Sequence, residues 1–225
     1  MKTPIHTVLF DLDGTLLDTA PDLAFALNTL LIEQKRKPLP IEKIRPWVSY
    51  GGGTMIKNAF GFGEDDPIPE AWQQRFLNLY ADHIADQTSF FPGMLEVLTS
   101  LEKRGIKWGI VTNKSTWLTS PLLEKLDLTN RSVCNISGDT LSQCKPHPAP
   151  LLHACQLAET QPENCIYVGD ASRDIEAGQR AGMRTLVALY GYIDAVEIPA
   201  QWGATGMIEK PLDLLSWIEY SIERS

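Results

Sequence analysis

The chain has 225 residues, 44% of them hydrophobic and 21% charged, enough for one sizeable core or for a core with a small inserted domain. A formal charge of −8 argues against nucleic acid or an anionic membrane as a partner, since both call for basic patches, and no run approaches the ~20 apolar residues of a membrane span. Cys134, Cys144, Cys155 and Cys165 form no C-x-x-C pair and no metal-finger spacing, so they read as reduced thiols of a cytoplasmic protein, as does an N-terminus without signal-peptide architecture.

Along the chain, apolar runs alternate with helix-period patterns, the signature of a parallel sheet covered on both faces. The runs predict strands over residues 7–12, 107–112, 133–137, 166–169 and 185–189, with a weaker last strand over 206–208. Helices are predicted over 93–104, 118–126, 150–158 and 174–181, with a closing helix over 212–222. Gly105 and Gly182 fall where two of these should stop, suiting the left-handed conformation found at helix ends. The rhythm breaks for about seventy residues between Thr19 and Ser89, far more than a plain crossover needs. There Leu23, Leu27, Leu30 and Leu31 keep helical spacing, as do Trp72, Phe76, Leu79 and Tyr80, and Phe91-Pro92-Gly93 reads as the turn back. The expectation is an α/β core of residues 1–18 and 90–225 interrupted by an all-helical insertion of residues 19–89.

Four segments place reactive side chains at strand ends, where open α/β sheets bind ligands. The first strand runs into Asp11-Leu12-Asp13-Gly14-Thr15, and a carboxylate there can attack phosphorus, although the pattern also suits a turn or a calcium-type loop. Thr112, followed by Asn113 and Lys114, could donate to a phosphoryl oxygen or be a plain β-branched strand residue. Lys145 lies in the proline-stiffened Lys145-Pro146-His147-Pro148, fit to hold a cation near a nucleophile, or is simply a solvated charge. Asp170 and Asp174 follow the 166–169 run; clustered carboxylates suit magnesium, while Asp174 also suits the first turn of a helix. Because the protein as a whole repels anions, any phosphate site must be locally positive. His6, His83, His147 and His153 offer no ligand pair for zinc, and the tryptophans read as core or edge aromatics.

The ordered set Asp11-x-Asp13-Gly14-Thr15, Thr112, Lys145 and Gly169-Asp170-x-x-x-Asp174 resembles the haloacid dehalogenase-like hydrolase superfamily over the whole chain. The resemblance implies a Rossmann-like core with its parallel sheet between helices, residues 19–89 as a C1-type helical cap, and a magnesium-dependent phosphatase. On this chain Asp11 would be the nucleophile, and Asp13 the general acid for the leaving alcohol and then the base for water. Metal ligands would fall on Asp11, the backbone carbonyl of Asp13 and Asp170, with Asp174 direct or through water. Thr112 and Asn113 would bind the phosphoryl group, and Lys145 would balance its charge. Asp11 must be ionised when Asp13 is protonated, so their surroundings should push their pKa values apart.

Dehalogenases of this superfamily generally lack an acid at the place of Asp13, because a halide needs no proton to leave, so the chain resembles the phosphatase branch. The nearest groups are the phosphoglycolate phosphatases and the N-acetylmuramic acid 6-phosphate phosphatases of peptidoglycan recycling. The second is favoured by Trp108 to Lys114, Arg184-Thr185, Tyr190 to Ile193, Trp202-Gly203-Ala204 and Gly51-Gly52-Gly53. The expected partner is therefore a small phosphorylated metabolite, N-acetylmuramic acid 6-phosphate first and 2-phosphoglycolate second; a sugar phosphomutase and a non-catalytic phospho-ligand binding protein are the alternatives. Both phosphatase substrates carry a carboxylate, which makes Arg45 and Lys57 candidate contacts, while Gly51, Gly52 and Gly53 would let backbone approach a ligand. No apolar stripe demands a second subunit, so a monomer is expected, with a dimer open.

Overall fold

The computed structural model describes residues 4–222. Its first half contains β1 (Thr7–Phe10), β2 (Leu17–Asp18), α1 (Ala20–Glu33), α2 (Ile41–Ile44), a 3-10 turn over Arg45–Tyr50, α3 (Gly51–Phe60), α4 (Glu70–Asp82) and β3 (Ser89–Phe90). The second half runs α5 (Met94–Lys103), β4 (Lys107–Val111), α6 (Thr116–Lys125), β5 (Asn135–Ile136), α7 (Ala149–Leu157), β6 (Cys165–Gly169), α8 (Ser172–Arg180), β7 (Arg184–Ala188), β8 (Gly206–Ile208) and α9 (Asp213–Ile222). No helix among the described residues is long and apolar enough to cross a membrane.

Six strands form one sheet in the order β5-β4-β1-β6-β7-β8, every pairing parallel. β1 shows why the sheet is covered on both faces: Val8 and Phe10 enter one apolar layer with Leu98, Leu122 and Ile218, and Leu9 enters the other with Leu151, Ala154 and Ala177. Alternate side chains of a strand point to opposite faces, so α5, α6 and α9 cover one side, α7 and α8 the other. The chain runs from β1 outward to β4 and β5, then returns to the other side of β1 for β6. That reversal leaves a crevice beyond the carboxyl ends of β1 and β6, the usual ligand position of such sheets.

β1 ends at Phe10, two residues before the predicted end, because the chain there turns into the loop that carries Asp11 and Asp13. One further bond, from the Asp11 N–H to Val168 O at 2.9 Å, holds the start of that loop beside β6. α6 begins at Thr116 rather than at Leu118, since Asp139 accepts from the Thr116 N–H at 2.8 Å and caps its first turn. Gly105 and Gly182 follow α5 and α8 with φ of 70° and 79°, as expected of helix ends.

The interrupting segment is helical, and its ends meet: β2 pairs antiparallel with β3, joining Leu17 to Phe90 and Asp18 to Ser89. α1 buries the expected Leu23, Leu27, Leu30 and Leu31, and α4 buries Phe76, Leu79 and Tyr80 of its expected stripe, with Trp72 only half-buried. Asp22, buried in the first turn of α1, accepts from the N–H groups of Gln87 and Thr88 at 2.9 Å each and fixes the returning chain. All four cysteines are free thiols; Cys134, Cys155 and Cys165 are buried and Cys144 is exposed.

Candidate active site

Asp11 leaves the end of β1 only 4% exposed, and the Lys145 ammonium reaches its Oδ1 at 2.7 Å. The same ammonium lies 2.8 Å from Asp174 Oδ1 and donates to Val111 O at 2.9 Å and the Tyr167 hydroxyl at 2.7 Å. Burial opposes the charge of Lys145, but Asp11 and Asp174 more than offset it and keep its pKa above the ordinary lysine value. The loop carrying Lys145 is clamped by Asn113, whose side-chain amide donates to Lys145 O at 2.9 Å and accepts from the Lys145 N–H at 3.0 Å.

Asp170, at the end of β6, accepts from Thr15 Oγ1 at 3.1 Å, Ser49 Oγ at 2.9 Å and the Tyr192 N–H at 2.9 Å. Two glycines make room for it. A Cβ on Gly14, which has φ of 88°, would stand 2.2 Å from Asp170 Oδ2, and one on Gly191 would stand 2.3 Å from Asp170 Cβ. Asp174 accepts from the Ala171 N–H at 3.1 Å, so it caps α8 and serves the site at once.

Oxygens of Asp11, Asp170 and Asp174, all buried, lie within 4.8 Å of one another. Burial, with Asp174 adding repulsion against the opposing pull of Lys145, pushes Asp11 up to about 6; burial, then repulsion from Asp11 and Asp174, pushes Asp170 up to about 7. Three crowded carboxylates with one lysine between them form an oxygen-only donor set that fits a hard divalent cation, which would relieve that repulsion.

Asp13 is arranged differently. Lys114 Nζ at 2.8 Å and Thr19 Oγ1 at 2.6 Å both bind its Oδ1, leaving Oδ2 without a hydrogen bond among the described residues. Lys114 also lies over the Tyr80 ring, 4.4 Å from its centroid. Burial opposes its charge, and Asp13 and Tyr80 prevail, so its pKa stays above the ordinary value. Thr112 Oγ1 accepts from the Lys114 N–H at 3.1 Å, so its own proton is available to a ligand.

These groups open on a cavity of about 560 Å³ lined from the sheet side by Asp11, Asp13, Thr112 and Asn113, and from the helical segment by Ser49, Tyr50, Gly51 and Gly52. Lys145, Asp170 and Asp174 stand behind that wall, 2%, 1% and 0% exposed. Three candidates lie elsewhere. Arg45 makes a two-pronged ion pair with Asp18, 2.9 and 3.0 Å, and lies over the Tyr192 ring, while Gly53 is absent from the cavity lining. Lys57 donates to Glu64 O; five residues beyond Gly52, it is about 140° round the helix from the cavity side. Sequence reasoning passed over Ser49, Lys114 and Arg173; the last two were visible only as neighbours of Thr112 and Asp174.

A profile of the haloacid dehalogenase-like hydrolases matches residues 8–188, a span that contains every acid and lysine just described. The chain belongs to that family. Among haloacid dehalogenase-like hydrolases it is 36% identical over 218 residues to an N-acetylmuramic acid 6-phosphate phosphatase of Pseudomonas aeruginosa, covering 97% of this chain and 96% of that protein. It is 42% identical over 212 residues to a phosphoglycolate phosphatase of Xylella fastidiosa, covering 92% and 90%. The fold is similar to a crystal structure from Haemophilus somnus 129pt, described as a predicted phosphoglycolate phosphatase, with a TM-score of 0.83, 26% identity and coverage of 96% and 98%.

Proposed function

We propose that this protein is a metal-dependent phosphomonoesterase that takes the phosphoryl group of a small metabolite onto Asp11 and passes it to water. The observation that carries this reading is the environment of Asp11: a lysine at 2.7 Å, two further buried acids, and an open face on a cavity that also holds Asp13 and Thr112.

Asp11 attacks phosphorus, a P–O bond forms to its carboxylate, and the ester P–O bond breaks. The departing oxygen takes a proton from Asp13 Oδ2, the oxygen that Lys114 and Thr19 leave free. Asp13 then takes a proton from water, whose oxygen attacks the phosphoaspartate and returns Asp11 as a carboxylate. Throughout, Thr112 donates to a phosphoryl oxygen, and Lys145 offsets the negative charge of nucleophile and phosphate. Magnesium, held by Asp11, Asp170, Asp174 and the Asp13 carbonyl, would add the positive charge that a dianionic ester and an anionic nucleophile need in order to meet.

The helical segment, residues 19–89, acts as a cap on the core of residues 1–18 and 90–225: it contributes Ser49 to Gly52 to the cavity, and its two ends are joined by the β2–β3 pair. The substrate we favour is N-acetylmuramic acid 6-phosphate. About 560 Å³ suits an N-acetylated sugar acid better than the two-carbon glycolate, and the Pseudomonas relative aligns over nearly both full lengths. The 42% identity to the Xylella protein supports 2-phosphoglycolate as the second reading. Free thiols throughout are in keeping with a cytoplasmic enzyme.

The test is phosphate release from N-acetylmuramic acid 6-phosphate, 2-phosphoglycolate and common sugar phosphates, with and without magnesium, beside an Asp11→Asn control. Magnesium-dependent release that favours the amino-sugar ester bears the reading out. Preference for phosphoglycolate reassigns the substrate, transfer without net phosphate release makes the protein a mutase, and silence across the panel makes it a binding protein.

A further inference from the structure

Among the described residues two cations line the cavity, Lys114 and Arg173. Lys114 is occupied by Asp13 at 2.8 Å. Arg173 is half-buried in the first turn of α8, between Asp170 and Asp174, and among the described residues its guanidinium makes no hydrogen bond and no ion pair. Burial opposes its charge, and the acids around it, Asp174, Asp11 and Asp170, keep it protonated. It lines the same cavity as Ser49, Tyr50 and Gly51 of the helical segment, which lie across from the acid cluster.

A guanidinium presents five N–H donors in a rigid fork that matches a carboxylate, and a half-buried one without an acceptor is an incomplete site. At the phosphoryl end the cations are already assigned: Lys145 touches Asp11, and the acid triad suits a metal. Arg45 and Lys57, which the sequence offered for a substrate carboxylate, are engaged by Asp18 and by Glu64 O. What remains for a second anion is Arg173. We infer that Arg173 is the specificity-determining residue that takes the carboxylate of the substrate's alcohol portion, so that the site selects phosphate monoesters whose leaving group is itself an acid. This rests on the phosphatase reading and narrows its substrate class.

The experiment compares paired esters that differ in that carboxylate: N-acetylmuramic acid 6-phosphate with N-acetylglucosamine 6-phosphate, and 2-phosphoglycolate with its amide. Wild type should favour the acid of at least one pair in kcat/KM. Arg173→Gln should shrink that ratio about 10- to 100-fold, mainly through KM, as expected for a lost charge-assisted contact, and Arg173→Lys should restore part of it. Equal losses on both members of a pair would put Arg173 on the phosphoryl group and overturn the inference, as would wild type without preference. Calorimetric binding of N-acetylmuramic acid and N-acetylglucosamine, and of glycolate and glycolamide, needs no turnover and separates failure of the phosphatase reading from failure of this one. Wild type should favour the acid of a pair and Arg173→Gln should lose the preference; a preference that survives in the variant, or is absent from wild type in both pairs, rejects it.

Discussion

Ser49 donates its hydroxyl proton to Asp170 Oδ2 over 2.9 Å, so the helical segment touches the acid cluster itself rather than only the mouth of the cavity. Groups that orient a metal ligand commonly matter for affinity by about 10- to 100-fold. Ser49→Ala should raise the magnesium concentration for half-maximal phosphate release by roughly 10-fold, with a much smaller effect on kcat at saturation. A magnesium titration reads both.

The carboxyls of Asp11 and Asp170, pushed up to about 6 and about 7, bind protons more tightly in the folded chain than in the unfolded one. Their contribution to stability is therefore present at low pH and is lost as pH rises through 6 and 7. Without metal, the Tm should fall between pH 5.5 and pH 8. Magnesium should restore progressively more of it at the higher pH, where it need not displace protons. Calorimetric scans with EDTA and with magnesium check the sign; a magnesium gain larger at pH 5.5 than at pH 8 would contradict it.

Asp11→Asn retains the shape of the side chain and removes the carboxylate proposed as the nucleophile. Turnover should fall by on the order of 10⁴-fold or more, and acid quenching should trap no phosphorylated protein from the variant while it does from wild type. Residual turnover at one-tenth of wild type would place the nucleophile elsewhere.

Asn113→Ala removes both bonds that hold the backbone of Lys145, at 2.9 and 3.0 Å. A buried N–H and C=O left without partners cost about 1–3 kcal/mol, so the Tm should drop by several degrees and kcat should fall with the misplaced ammonium. Asn113→Asp, which can keep the bond from the Lys145 N–H, should recover part of the stability.

The sheet was legible because β1, β4, β6 and β7 are apolar runs buried on both faces, and such runs stand out against polar turns. β2 and β3 were not, because two residues carry no periodicity and their pairing depends on partners about seventy positions apart. α3 was hidden by its own composition, since three consecutive glycines read as a loop. Packing explains one of them: a Cβ on Gly52 would come within 2.7 Å of Phe76 Cε1. Asp11, Asp13, Asp170 and Asp174 were recognisable as an ordered motif. Arg45 and Lys57 were misplaced because charge is visible in a sequence and direction is not; what turns Arg45 away is Asp18, at the end of β2.

The backbone at Gly14 and Gly191 closes around Asp170 so tightly that neither position has space for a methyl group. The floor behind the cavity is thereby frozen by steric exclusion, whereas on the helical side of its lining Tyr50 is exposed and Leu77 is only half-buried. Replacements that alter which alcohol is accepted are therefore tolerable on one wall only. Laboratory evolution of this scaffold towards new esters should accumulate its changes at lining positions such as Tyr50 and Leu77 and leave the two glycines untouched.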